Sequence, residues 1–105
     1  MHHWPTETLI GDGAALRIYR STPAPTGRRA VILVHGFTDN ALYWTRLGDA
    51  LAETLDVYAY DARGHGVSSR LDGAWDDAVR ASDLLRVIDH LQLQRPAAVG
   101  HSMGG

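Results

Sequence analysis

The chain has 105 residues, of which 45% are hydrophobic and 21% are charged, a composition that is ordinary for a folded domain and argues against disorder. Ten basic residues against twelve acidic ones give a formal net charge of -2, so no basic excess favours binding to nucleic acid. The absence of cysteine excludes disulfides, thiolate catalysis and thiolate metal sites.

The N-terminus shows no targeting pattern. Residues 1–5 (MHHWP) contain no basic stretch followed by an apolar run, as a secretory signal would. The longest apolar runs, such as Ala30–Val34, are far too short to cross a bilayer. We therefore expect a cytoplasmic protein that acts away from membranes; the sequence does not indicate its oligomeric state.

The first predicted elements are β-strands. Two short β-prone runs, Thr8–Ile10 and Leu16–Tyr19, flank the turn residues 11–13 and predict a hairpin. A loop over 21–29, rich in proline and glycine, follows. Ala30–Val34 is a continuous apolar run, which is typical of a strand buried on both faces of a parallel sheet.

Apolar residues at helical spacing then predict two helices, over 41–55 and from about 75 to 91. Asp39 or Asn40 is the candidate cap of the first helix. The apolar face of the first helix consists of Trp44, Leu47, Leu51 and Leu55. That of the second consists of Ala78, Ala81, Leu85, Ile88 and Leu91.

Two more strands, Val57–Tyr60 and Ala97–Val99, alternate with these helices, and Pro96 precedes the last one. This alternation predicts an α/β fold with a mainly parallel sheet and right-handed crossovers. We expect Ala30–Val34 to be central, with the two later strands parallel to it on either side. Ligands of such sheets bind beyond the carboxyl ends of the strands, where three glycine-bearing segments follow: 35–37, 61–69 and 100–105.

Residues 100–104 (GHSMG) match the pattern G-x-S-x-G directly after a predicted strand. A strand that turns sharply into a helix strains the serine backbone and crowds the flanking positions, which glycine relieves. The turn exposes the hydroxyl of Ser102 beside the free N–H groups of the helix start. The alternative interpretation is a serine in an ordinary turn.

The segment 35–37 (HGF) follows the buried strand and is a candidate oxyanion hole. Acyl transfer develops negative charge on a carbonyl oxygen, which aimed backbone N–H groups stabilise. The donors that we predict are the N–H groups of Phe37 and Met103. His35 is interpreted as structural rather than as a general base. In the third segment, Asp61 and Arg63 are expected to pair and hold the loop, and Asp61 is not expected to be catalytic.

Together, the segments VILVHGF, YDARGHGVSS and VGHSMGG resemble the α/β-hydrolase superfamily, in its order and at its usual separations. The resemblance implies that residues 1–105 are the N-terminal portion of a single α/β-hydrolase domain, with the first five of eight strands and a helix on each face of the sheet. It makes Ser102 the nucleophile and Phe37 and Met103 the oxyanion-hole donors. Relatives that dehalogenate alkanes or open epoxides carry aspartate at the nucleophile position, so Ser102 disfavours both activities.

The resemblance therefore implies a serine hydrolase, similar to esterases and lipases, that acts on a small-molecule carboxylic ester or related acyl substrate without a cofactor or metal. In this family the acid and the histidine base follow the nucleophile. None of the histidines of this chain occupies that position; they are His2, His3, His35, His65, His90 and His101. We expect the chain to be a fragment that is inactive alone. The alternatives are a ligand-binding protein on the same fold and a non-functional truncated remnant.

Overall fold

The structure, a computed structural model, describes residues 1–11, 14–36, 40–63 and 77–101. It begins with the predicted antiparallel hairpin, formed by β1 (Thr6–Gly11) and β2 (Ala14–Arg20). Both strands are longer than their apolar residues indicated. The turn residues Asp12 and Gly13 lie outside the described residues.

Three parallel strands form the rest of the sheet. β3 (Ala30–Val34) lies between β4 (Asp56–Tyr60) and β5 (Ala97–Gly100) and is parallel to both. β2 pairs with β4 in the antiparallel sense, which gives the strand order β1-β2-β4-β3-β5. The predicted central position of β3 is confirmed. Its apolar run is explained by burial on both faces, since Ile32 and Leu33 are both inaccessible to solvent.

The first predicted helix consists of two shorter pieces. A 3-10 helix over Ala41–Trp44 leads directly into α1 (Thr45–Leu51). Residues 52–55 form turns instead of a last helical turn, so the predicted end at residue 55 was wrong. Leu47 was expected on the buried face but is 42% exposed. The other residues of the predicted face, Trp44, Leu51 and Leu55, belong to the apolar cluster or pack against it, so only Leu47 departs from the prediction.

Asn40 caps the 3-10 helix. Its side-chain oxygen accepts a hydrogen bond from the N–H of Leu42 at 2.9 Å, which satisfies one of the free donors of the first turn. Asp39, the other candidate cap, lies outside the described residues.

The second helix, α2 (Asp77–Leu91), packs on the sheet with a face that matches the predicted one only in part. Ala78 and Ala81 are exposed, and Leu85 is 60% exposed. The apolar residues that pack against the sheet are Leu84, Val87, Ile88 and Leu91. The prediction is confirmed for Ile88 and Leu91 and was wrong for Ala78, Ala81 and Leu85. The small side chains of alanines are compatible with either face of a helix, so they indicate its orientation poorly.

The two helices lie on opposite faces of the sheet, as the resemblance implied. Val31 and Leu33 belong to the apolar cluster of the 3-10 helix and α1, whereas Ile32 belongs to the cluster of α2. Successive β3 residues thus point to opposite faces, as a strand requires. Among the described elements, no helix combines the length and apolar character needed to span a membrane.

Candidate active site

The carboxyl ends of the three parallel strands lie side by side. Val34, the last residue of β3, is in register with Tyr60 at the end of β4 and with Gly100 at the end of β5. The segments that leave these strands therefore begin next to one another, at His35, Asp61 and His101. The predicted convergence of the three motifs at one edge of the sheet is confirmed for the residues that the structure describes.

The three predicted site residues themselves, Ser102, Phe37 and Met103, lie outside the described residues, and their roles stay predictions. The structure describes the residues that precede two of them, Gly36 and His101. Gly36 follows His35 at the end of β3. The N–H of His101 donates to the carbonyl oxygen of Val34 at 3.1 Å, which extends the pairing of β5 with β3 by one residue.

His35 is a buried structural residue, as its sequence position suggested. Its Nε2 accepts a hydrogen bond from the N–H of Ala62 at 2.9 Å, so the ring proton belongs on Nδ1. Nδ1 lies 2.7 Å from the carbonyl oxygen of Gly36 and donates to it in this tautomer. With both nitrogens engaged by backbone groups, the ring joins the end of β3 to the segment after β4.

Asp61 is also inaccessible to solvent and anchors the start of the 3-10 helix. Its Oδ1 accepts a hydrogen bond from the N–H of Ala41 at 2.8 Å, and its Oδ2 accepts one from the hydroxyl of Tyr19 at 3.3 Å. Burial, followed by the negative charge of Asp61, raises the pKa of Tyr19, so the phenol stays protonated and able to donate. A buried carboxylate requires donors of this kind.

Arg63 forms a buried ion pair with Asp83 of α2, a partner that the sequence did not indicate. The pair is bidentate: Nε and Nη2 of Arg63 donate to the two carboxylate oxygens, each at 2.8 Å. Nη1 of Arg86 also lies 3.3 Å from Oδ1 of Asp83. Sequence analysis missed Asp83, although one signal was present: it lies four residues before Val87 on the face of α2 that packs against the sheet.

These contacts fix both ends of the segment that contains Phe37. Before it, His35 accepts a hydrogen bond from Ala62; after it, Ala41 donates to Asp61. Both anchors belong to the short stretch after β4, which Arg63 in turn attaches to α2. The stretch 61–63, interpreted from sequence only as a tight loop, therefore holds both ends of the candidate oxyanion-hole segment.

Two other described histidines, His90 and His101, have partners within the fold. His90 on α2 contacts Glu7 of β1, with Nε2 and Oε2 2.8 Å apart. This hydrogen bond, with help from Arg20, lowers the pKa of Glu7. His101 stacks on the ring of Tyr43, and His65 lies outside the described residues. Within the described ranges no cluster of three or more His, Asp or Glu side chains is arranged to hold a metal ion.

The strand order, the opposed helices and the converging strand ends define an α/β hydrolase. The profile of the alpha/beta hydrolase fold family matches residues 29–105, and the chain belongs to that family. Epoxide hydrolase A of Mycobacterium tuberculosis is 36% identical over 104 residues, covering 95% of this chain and 32% of that protein.

Two further similarities agree with this assignment. A serine hydrolase-like protein of Danio rerio is 37% identical over 118 aligned residues, covering 100% of this chain and 35% of that protein. The crystal structure of a hydrolase from Pseudomonas aeruginosa PA01 aligns with a TM-score of 0.85 at 29% identity, covering 94% of this chain and 37% of that one. The chain thus spans about a third of the length of these proteins.

The buried hydrogen bonds of Asp61 generate a stability prediction. Asp61→Ala removes the acceptor of the Ala41 N–H and of the Tyr19 hydroxyl, and leaving buried donors unpaired costs about 3 kcal/mol. Asp61→Asn keeps a carbonyl oxygen that can accept from the Ala41 N–H, so it should lower the free energy of unfolding clearly less than Asp61→Ala does. Urea denaturation of both variants measures the difference. Equal losses of unfolding free energy in the two variants, or a smaller loss for Asp61→Ala, would contradict the anchoring role.

Proposed function

We propose that the protein containing this chain is a serine hydrolase that cleaves a small-molecule carboxylic ester or related acyl compound, with Ser102 as nucleophile. The observation that carries the proposal is the register of β5 with β3. It brings the strand end that leads into the G-x-S-x-G segment next to the strand end that leads into Phe37. Membership of the alpha/beta hydrolase family supports the general reaction class.

The residue at the centre of the motif favours acyl chemistry over epoxide opening. One similar protein is named an epoxide hydrolase and another a serine hydrolase-like protein, so overall similarity does not separate the two activities. The sequence has Ser102 at the position where the epoxide-opening and dehalogenating branches carry aspartate. A serine hydroxyl attacks carbonyl carbon to form an acyl-enzyme, which is the intermediate that we propose.

In the proposed reaction, Oγ of Ser102 forms a bond to the substrate carbonyl carbon as a histidine takes its proton. The N–H groups of Phe37 and Met103 stabilise the negative charge that develops on the carbonyl oxygen. Collapse of the intermediate breaks the bond to the leaving alcohol or amine, which receives the proton from the histidine. Water, activated by the same histidine, then hydrolyses the acyl-enzyme. No step requires a cofactor.

The described residues contribute positioning to this scheme. The side chains of Asp61 and His35 are buried and bonded to both ends of the candidate oxyanion-hole segment, which supports a positioning role for them. We propose that the histidine base and its carboxylate partner come from the part of the protein after Gly105, in the order that is usual for this fold. The proposal also includes a cytoplasmic location.

The first test is covalent labelling of the protein that contains this chain. A fluorophosphonate reacts with activated serines, so we expect one label, located on Ser102 by peptide mapping. Ser102→Ala should abolish it, whereas Ser68→Ala and Ser69→Ala should leave it intact. A label on Ser68 or Ser69, or no label at all, would contradict the assignment.

A second prediction concerns residues 1–105 alone, which we expect to show no more than trace esterase activity. Loss of catalytic triad residues in a serine protease lowers kcat on the order of 10⁶-fold. The measurement compares hydrolysis of p-nitrophenyl acetate by the 105-residue chain and by its Ser102→Ala version, since surface histidines give a background. A much faster unmodified chain would mean that a base lies within these residues.

A further inference from the structure

The side chain of His101 has a defined partner that the proposed chemistry does not use. Its imidazole lies on the phenol ring of Tyr43, with ring centroids 4.9 Å apart and planes inclined by 22°. Such offset stacking is a favourable aromatic geometry, and Tyr43 is still 49% exposed. The contact connects the residue before Ser102 to the 3-10 helix, an element on another part of the chain.

Tyr43 is itself held in place. Its ring packs edge-on against Trp44, with centroids 5.2 Å apart and planes at 84°, and Trp44 is buried in the core. Its N–H donates to the carbonyl oxygen of Asn40 at 3.0 Å. Ala41, two residues earlier, is fixed to the buried carboxylate of Asp61. The ring that supports His101 therefore belongs to a well-anchored turn.

His101 is consequently fixed from two directions. Its backbone N–H is bonded to Val34 of β3, and its ring rests on Tyr43. The same 3-10 helix begins directly after Asn40, which closes the segment containing Phe37. One short element thus touches both the residue before the proposed nucleophile and the end of the proposed oxyanion-hole segment.

We propose that Tyr43 is a positioning residue, whose stacking on His101 sets the placement of Ser102 relative to the oxyanion-hole donors. This inference rests on the proposed function. Its physical basis is the steep dependence of catalysis on geometry: a displacement of ~1 Å costs on the order of 100-fold in rate. Tyr43 acts through the ring of His101 and contributes no proton, so the phenol oxygen is dispensable and the ring is not.

The test uses the protein that contains this chain, with Tyr43→Ala and the ring-preserving Tyr43→Phe. Leu47→Ala is the matched control, because Leu47 lies one helical turn further on and has similar exposure at 42%. We expect Tyr43→Ala to lower kcat for p-nitrophenyl acetate by about tenfold with little change in KM. Tyr43→Phe and Leu47→Ala should both remain within about twofold of the unmodified protein.

Proton NMR detects the stacking of His101 on Tyr43 independently of enzyme activity. The ring current of a stacked aromatic ring shifts the signals of neighbouring protons, so the His101 Hε1 signal, assigned by its loss in His101→Gln, should move in Tyr43→Ala and stay in Tyr43→Phe. An unmoved signal overturns the stack, and a moved signal with unchanged kcat overturns its positioning role. A raised KM at constant kcat also overturns it, because Tyr43 would then contact substrate.

If the unmodified protein neither hydrolyses esters nor labels at Ser102, the proposed function fails, and the positioning role with it.

Discussion

The structure depends on the burial and pairing of one strand, β3. All five of its residues pair in parallel with β4 on one edge, and four of them pair in parallel with β5 on the other. Its side chains enter both apolar clusters. A slip of one residue would turn every side chain to the opposite face, so the register is strongly specified. Because the three strands are parallel and in fixed register, their carboxyl ends coincide. The chemistry proposed for this edge follows from that coincidence.

Buried polar side chains fix the segments that follow the strands. His35, Asp61 and Arg63 lie just beyond the strand ends, and the side chain of each is bonded to a partner in a different segment. Breaking one such bond leaves a buried group unpaired, which makes alternative loop arrangements costly. The ring of His35 and the carboxylate of Asp61 therefore hold the segments that follow β3 and β4 against each other. In the proposed reaction they position the segment that contains Phe37 and take no part in proton transfer.

The central strands β3 and β4 could be predicted from sequence because burial on both faces of a parallel sheet leaves an unbroken apolar run, as in Ala30–Val34. The buried face of α2 could be predicted only near its C-terminal end, at Ile88 and Leu91. Further forward, alanines carry little orientational information, and a buried charge, Asp83, occupies an inward position that hydropathy assigns to solvent. The motif segments were recognisable as a family pattern. The anchoring by Asp61 was not, since its partners, Ala41 and Tyr19, are brought together only by the fold.

The central claim is that the ends of β3 and β5 bring a nucleophile and its oxyanion-hole donors together. The most direct measurement is a crystal structure of the protein containing this chain after reaction with a phosphonate, which mimics the tetrahedral intermediate. Phosphorus bonded to Oγ of Ser102, with its oxygen about 2.7–3.1 Å from the backbone nitrogens of Phe37 and Met103, is the predicted result. An adduct on another residue, or a phosphonyl oxygen directed away from both nitrogens, would contradict it.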